Sequence, residues 1–251
     1  MTRDTFHRLS QYANACMTDS AHDRPHTDRV LYNALLISRE HSVNHDVLIA
    51  ACLLHDIGRE AQMRDPACCH ARAGAEMARA YLNAEGWPSE TAEHVCACIR
   101  THRFRADDVP QSIEAKILFD ADKLDAAGAL GIARTLLYAG SVGHPLYCDA
   151  LPAEDAPTSP GSVEESFVGE YQFKLKNVYD QFYTPQGRAM ALERRGAARD
   201  FYIHLIHEMN APAREGGRIL DGVLNSLRCH SEQSEESRSC GDQDSSPAGS
   251  E

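Results

Sequence analysis

Leu53-Leu54-His55-Asp56-Ile57-Gly58 puts an adjacent histidine and aspartate at the end of a run otherwise fit for a protein core. Burying an aspartate alone is costly, so this position calls for a cation or several hydrogen-bond donors. Neighbouring helical positions point about 100° apart, so both side chains reach one ligand only where that helix edge faces a pocket. Asp122 repeats the anomaly: it follows Ile117 and Leu118 on the apolar face of its helix, with Asp125 one turn further along the same side. His26 opens another helix, with Val30 one turn on, and again faces inward. Three helices therefore direct imidazole or carboxylate toward one interior. Neutral imidazoles with hard carboxylate oxygens suit a divalent cation: Mn²⁺, Fe²⁺, Co²⁺, Ni²⁺ or Mg²⁺.

The elements that must position these groups read as helices. After His26, Val30, Ala34, Leu35 and Ile37 recur at helical spacing. A second helix is expected from Asn44 as N-cap through Val47, Leu48, Ala51 and Leu54 to a stop at Gly58. A third runs from His70 through Gly74, Met77 and Tyr81. After the break Gly86-Trp87-Pro88, Ser89 is placed to cap a fourth helix carrying Ala92, Val95, Cys96 and Ile99. A fifth is expected from Ile113 to Tyr138, ending near Gly140. Residues 141–164, rich in Gly, Pro and Ser, read as a long loop. Helices resume around Tyr171 to Phe182. Thr184-Pro185 then opens another, with the apolar stripe Ala197, Ala198, Phe201, Tyr202, Leu205 and Met209. With no period-two alternation, the fold class is all-α, and residues 1–20 form an N-terminal helical extension.

Composition bounds the rest. The 251 residues are 43% hydrophobic and carry a net charge of −12, which argues against a nucleic-acid polymer as partner. No apolar run is long enough to cross a bilayer and no signal-peptide pattern opens the chain, so a cytoplasmic location without membrane attachment is expected. The nine cysteines are an odd number without paired CxxC motifs, so they read as reduced core residues and not as a metal site. Beyond Leu227 no aromatic or branched aliphatic residue occurs. From Arg228 to Glu251 six acidic residues face two basic ones, a composition expected to leave 228–251 disordered.

The order His26, His55-Asp56, Asp122 resembles the H…HD…D signature of the HD superfamily of metal-dependent phosphohydrolases. Its flanks are similar to a bacterial branch that includes HD-domain nucleotide pyrophosphohydrolases. They are His22-Asp23-x-x-His26-x-x-Arg29-Val30, Leu53-Leu54-His55-Asp56-Ile57-Gly58, and Asp120-Ala121-Asp122-Lys123-Leu124-Asp125-Ala126-x-Gly128-Ala129-x-Gly131-Ile132-Ala133-Arg134. Phe173-x-x-Lys176 and Tyr183-Thr184-x-x-Gly187-Arg188 also look like that branch's C-terminal helices, so the likeness spans about residues 20–210. One departure is Arg59, at a position where some nucleotide-cleaving members carry an acid.

The resemblance implies a single HD-type helical bundle over 21–215, with His26, His55, Asp56 and Asp122 as metal ligands. One ion is implied, or two if His70 and His102 converge beside the first site. It implies hydrolysis of a small phosphorylated molecule, a nucleoside triphosphate cut to monophosphate and pyrophosphate, with Asp56, His70 and His102 as catalytic candidates. His102 could bind phosphate, shuttle a proton or hold metal; His94 falls off the apolar face and is expected to be exposed. Arg29, Arg59, Arg103, Arg105 and Lys123 are the candidate phosphate contacts, because a polyphosphate needs more positive charge than one ion supplies. His22 and Asp23 are expected to set the first helix's entry. A phosphomonoesterase or phosphodiesterase on the same site, an HD-type di-iron oxygenase, a non-catalytic nucleotide- or metal-sensing module, and a homodimeric assembly stay open.

Overall fold

A computed structural model describes residues 1–16, 24–103, 108–147 and 165–239. Among them the chain is all-α, as expected, with α-helices, one 3₁₀ helix and no strand. The order is α1 (Arg3–Cys16), α2 (Arg24–Ser38), α3 (His45–Leu54), α4 (Arg59–Arg64), α5 (His70–Ala84), α6 (Ser89–Thr101), α7 (Ile113–Leu124) and α8 (Gly128–Val142). Then follow α9 (Phe167–Phe173), the 3₁₀ helix Leu175–Asp180 and α10 (Pro185–Ser239).

The central element is α3. Asn44 caps it, its side chain accepting from the N–H groups of Asp46 at 3.0 Å and Val47 at 3.3 Å. Val47, Leu48 and every residue from Ala50 to Leu54 are buried. A helix apolar all round must be enclosed, and α1, α2, α6 and α7 pack against this one. The N-terminal extension therefore belongs to the core: Leu9 and Ala13 of α1 are buried in the same cluster.

Several expected boundaries shift. The helix ends at Leu54, not Gly58, and His55 to Gly58 form a turn closed by Arg59 N–H donating to the Asp56 carbonyl at 3.0 Å. This turn frees His55 and Asp56 from the fixed angular offset of helical neighbours. A Cβ at Gly58 would lie 2.2 Å from the His70 carbonyl oxygen and 2.5 Å from the Gly74 nitrogen, so α5 approaches the turn backbone to backbone. Pro88, not Ser89, occupies the N-cap of α6.

The fifth helix is two. Its apolar spacing continues across 113–138, but the backbone breaks after Leu124, where Gly128 takes a left-handed φ of 71°. Gly128 N–H donates to the Tyr179 hydroxyl at 3.1 Å, and a Cβ there would strike the Arg194 side chain at 2.7 Å. The helix expected around Tyr171 to Phe182 is likewise divided, into α9 and the 3₁₀ helix. The segment read as a loop from 141 is helical through Val142, and 148–164 lie outside the described residues.

Thr184-Pro185 does open α10: Thr184 Oγ1 accepts from Gly187 N–H at 3.0 Å. Buried Asp120 of α7 receives Tyr183 N–H at 2.8 Å, Thr184 N–H at 2.7 Å and the Thr184 hydroxyl at 2.6 Å. Gly187 is required beside it, since a Cβ would lie 2.6 Å from Asp120 Oδ2. Of the stripe expected on α10, Ala198 and Tyr202 are buried while Ala197 and Phe201 are exposed.

The chain divides into two compact units, Met1–Tyr202 and Ile203–Glu251. The backbone of α10 is helical to Ser239, within the segment whose composition suggested disorder. Residues 240–251 lie outside the described residues. No helix among the described residues is long and apolar enough to cross a membrane.

Candidate metal centre

α2, the turn after α3, and α7 bring His26, His55, Asp56 and Asp122 to one point. His26 Nε2 lies 3.3 Å from His55 Nε2, 3.6 Å from Asp56 Oδ2 and 3.6 Å from Asp122 Oδ1. His55 Nε2 lies 3.5 Å from Asp56 Oδ2. The other oxygen, Asp56 Oδ1, lies 3.3 Å from His70 Nε2 and 3.5 Å from His102 Nε2, and these two nitrogens are 3.3 Å apart. His70 from α5 and His102 after α6 thus meet the HD turn, and Asp56 is shared by two buried triads able to hold a metal: His26-His55-Asp56 and Asp56-His70-His102.

The outer face of each ring fixes what its inner nitrogen can do. His55 Nδ1 is 2.7 Å from the Cys52 carbonyl oxygen and His102 Nδ1 is 2.6 Å from that of Ile99. Carbonyl oxygens only accept, so these Nδ1 atoms carry the proton and donate. His26 Nδ1 meets Asp125 Oδ2 at 2.7 Å, and His70 Nδ1 meets the Gln62 amide oxygen. All four Nε2 lone pairs therefore point inward, at one another and at carboxylate oxygens. Asp56 Oδ2, fully buried among them, makes no hydrogen bond. An array of converging acceptors with an orphaned carboxylate oxygen is repulsive by itself, and a divalent cation is the group it fits.

The titration behaviour follows from the same crowding. Burial opposes ionisation of Asp56, yet His55 and the Arg59 guanidinium beside it hold its carboxyl well below the usual range. Asp122 is also depressed, against burial, by Lys123 and the nearby imidazoles. Burial pushes His70 down to about 4 and lowers His102, keeping both neutral at pH 7. For His26 burial is outweighed by the hydrogen bond to Asp125 and the nearby carboxylates, and its pKa is raised.

The expected phosphate contacts are placed unevenly. Lys123 Nζ bonds Asp122 Oδ2 at 2.8 Å and stays partly exposed at the rim. Arg29 is engaged by Asp125, Nε to Oδ1 at 2.8 Å and Nη2 to Oδ2 at 2.9 Å, beside a cavity of about 410 Å³ that it lines with Tyr32 and Arg194. Arg103 has a buried Nη1 without an acceptor. Arg105, His22 and Asp23 lie outside the described residues. His94, expected to be exposed, is half-buried, with Nε2 3.2 Å from Glu114 Oε2.

Three contributors went unassigned in the sequence. Asp125 braces His26 and is itself held by Arg134 Nη1 at 2.5 Å. Asp125 had a signal in its spacing from Asp122, and Arg134 stood in the quoted flank. Gln62, which orients His70, had none.

An all-α bundle that gathers His, His-Asp and Asp from two helices and the turn after a third around one buried point defines an HD-type metallohydrolase. Residues 25–127 match the HD domain family. The Bacillus subtilis protein YpgQ is 30% identical over 204 residues, covering 79% of this chain and 90% of YpgQ. The crystal structure of YpgQ in complex with ADP has a TM-score of 0.63 at 26% identity, covering 82% of this chain and 97% of that one. An HD-superfamily hydrolase from Bacillus thuringiensis also gives 0.63 at 26% identity, covering 83% and 98%. A Lactobacillus plantarum protein reaches 0.67 at 26% identity, covering 84% and 99%. The chain belongs to the HD superfamily of metal-dependent phosphohydrolases.

Proposed function

We propose that His26, His55, Asp56 and Asp122 hold one divalent ion, and that the site hydrolyses a nucleoside triphosphate between the α and β phosphates. The observation that carries the metal assignment is Asp56 Oδ2, buried without a hydrogen bond between two inward imidazole lone pairs. The nucleotide rests on likeness: YpgQ, which shares this fold over most of its length, binds ADP. When bound, the ion supplies Lewis acidity toward a phosphoryl oxygen and a nucleophile at neutral pH.

The chain's own residues do the rest. Asp125 holds the His26 ring in the tautomer that leaves Nε2 open, and Cys52 O does the same for His55. His70 and His102, whose Nδ1 atoms are committed elsewhere, present open Nε2 lone pairs on the Oδ1 side of Asp56 that take a proton from the attacking water. Lys123, beside Asp122 at the rim, offers positive charge to the departing pyrophosphate. A pyrophosphate needs less protonation than an alkoxide to leave, which suits a site with no acid among the described residues beyond His70 and His102.

Phosphorus NMR of products from a nucleotide panel with Mn²⁺ tests the reading, with monophosphate and pyrophosphate expected from triphosphates. Orthophosphate from monophosphates, with triphosphates untouched, would make the protein a phosphomonoesterase.

A further inference from the structure

Asp56 divides its two oxygens between unlike surroundings. Oδ2 makes no hydrogen bond, whereas Oδ1, which faces His70 and His102, also accepts from Arg59 Nε at 3.0 Å. The second triad has the same donor chemistry as the first: a carboxylate oxygen and two imidazoles whose Nδ1 atoms are already committed elsewhere. What differs is a permanent cation resting on its carboxylate.

Arg59 is held there locally. It is the first residue of α4, three positions after Asp56, and its backbone N–H closes the same turn. A divalent ion in the second triad would share Oδ1 with this guanidinium, in a buried place where like charges repel strongly. The guanidinium is not used up by that contact. Nε makes its one side-chain bond among the described residues, and with the side chain 26% exposed the terminal fork is open to a ligand from solvent.

We propose that Arg59 stands in for a second ion. It keeps the centre mononuclear and presents its fork to a phosphate oxygen of the substrate beside the ion on Oδ2. A fork of parallel N–H donors matches a tetrahedral oxyanion in a way that imidazoles with inward lone pairs do not. This rests on the metal assignment proposed above.

Elemental analysis and Mn²⁺ titration of the full chain test it. Wild type and Arg59→Lys should bind one ion and Arg59→Gln two. At one equivalent of Mn²⁺, Arg59→Gln should bind inorganic phosphate at least ten-fold more weakly than wild type. Two ions in the wild type, one in Arg59→Gln, or unchanged phosphate affinity would each overturn the proposal. The wild-type count decides even if Arg59→Gln fails to fold. His55→Ala serves as control: if it keeps the wild-type ion, the metal assignment itself fails, a result distinct from a wrong stoichiometry at Arg59.

Discussion

His26 donates through Nδ1 to Asp125 Oδ2 at 2.7 Å, and both side chains are buried. Asp125 in turn takes Arg29 at 2.8 and 2.9 Å and Arg134 at 2.5 Å. Against the cost of burial, His26 and the two arginines hold its carboxyl far below the usual range. Such a carboxylate fixes both the tautomer and the direction of the imidazole it braces.

Asp125→Ala should therefore weaken Mn²⁺ binding by about 10- to 100-fold, the usual cost of losing a partner behind a metal-binding histidine. It should also lower stability by about 3 kcal/mol, because Arg29 and Arg134 lose their buried counter-charge. Calorimetric metal titration and thermal melts read the two effects separately. Unchanged affinity would mean that His26 needs no brace.

His55→Ala and Asp122→Ala should each abolish stoichiometric metal binding and hydrolysis while leaving the chain helical. Each removes a proposed ligand, whereas the fold rests on apolar faces such as the enclosed α3. Far-UV circular dichroism with elemental analysis checks both halves. Full metal retention in either variant would remove that residue from the ligand set.

The sequence displayed the residues that converge better than the scaffold that brings them together. His55-Asp56 and Asp122 stood out because a carboxylate in an apolar run has no inexpensive explanation. The break between α7 and α8 was hidden because apolar spacing runs on through Gly128, and only the left-handed backbone at that glycine, closed by Tyr179 and Arg194, interrupts it. That Asp125, distant in sequence, engages Arg29 is shown by no local pattern. Gln62 on His70 is likewise a purely tertiary contact.

Acid should destabilise the metal-free protein in a defined window. His70 has its folded pKa lowered by burial to about 4 from the ordinary 6.5, so below 6.5 the unfolded chain gains a proton that the folded chain refuses. Its contribution is complete above pH 6.5, declines as pH falls toward 4, and changes no further below that. The loss is on the order of 2–3 kcal/mol. In urea melts of chelated protein, His70→Gln should lose that much less stability between pH 6.5 and 4 than wild type. Parallel profiles for the two proteins would show that His70 titrates normally.

The two glycines where α5 meets the HD turn should respond very differently to a methyl group. A Cβ at Gly58 would sit 2.2 Å from the His70 carbonyl oxygen and 2.5 Å from Gly74 N, both backbone atoms that cannot rotate away. At Gly74 the nearest atom is Gly58 N at 3.3 Å, a crowding that a shift of a few tenths of an ångström relieves. Gly74 also lies inside α5, where alanine gains roughly 1 kcal/mol of helix propensity over glycine. Gly58→Ala should thus cost about 2–3 kcal/mol and lower Tm by roughly 5–10 °C, while Gly74→Ala should stay within about 3 °C of wild type. The functional consequence follows from which atom is struck. Pushing the His70 backbone away carries His70 Nε2 off Asp56 Oδ1, now 3.3 Å distant, without touching His26, His55 or Asp122. Gly58→Ala that still folds should keep its ion but lose most of its hydrolytic rate. Loss of the ion along with activity would show that this approach supports the first triad and not only His70.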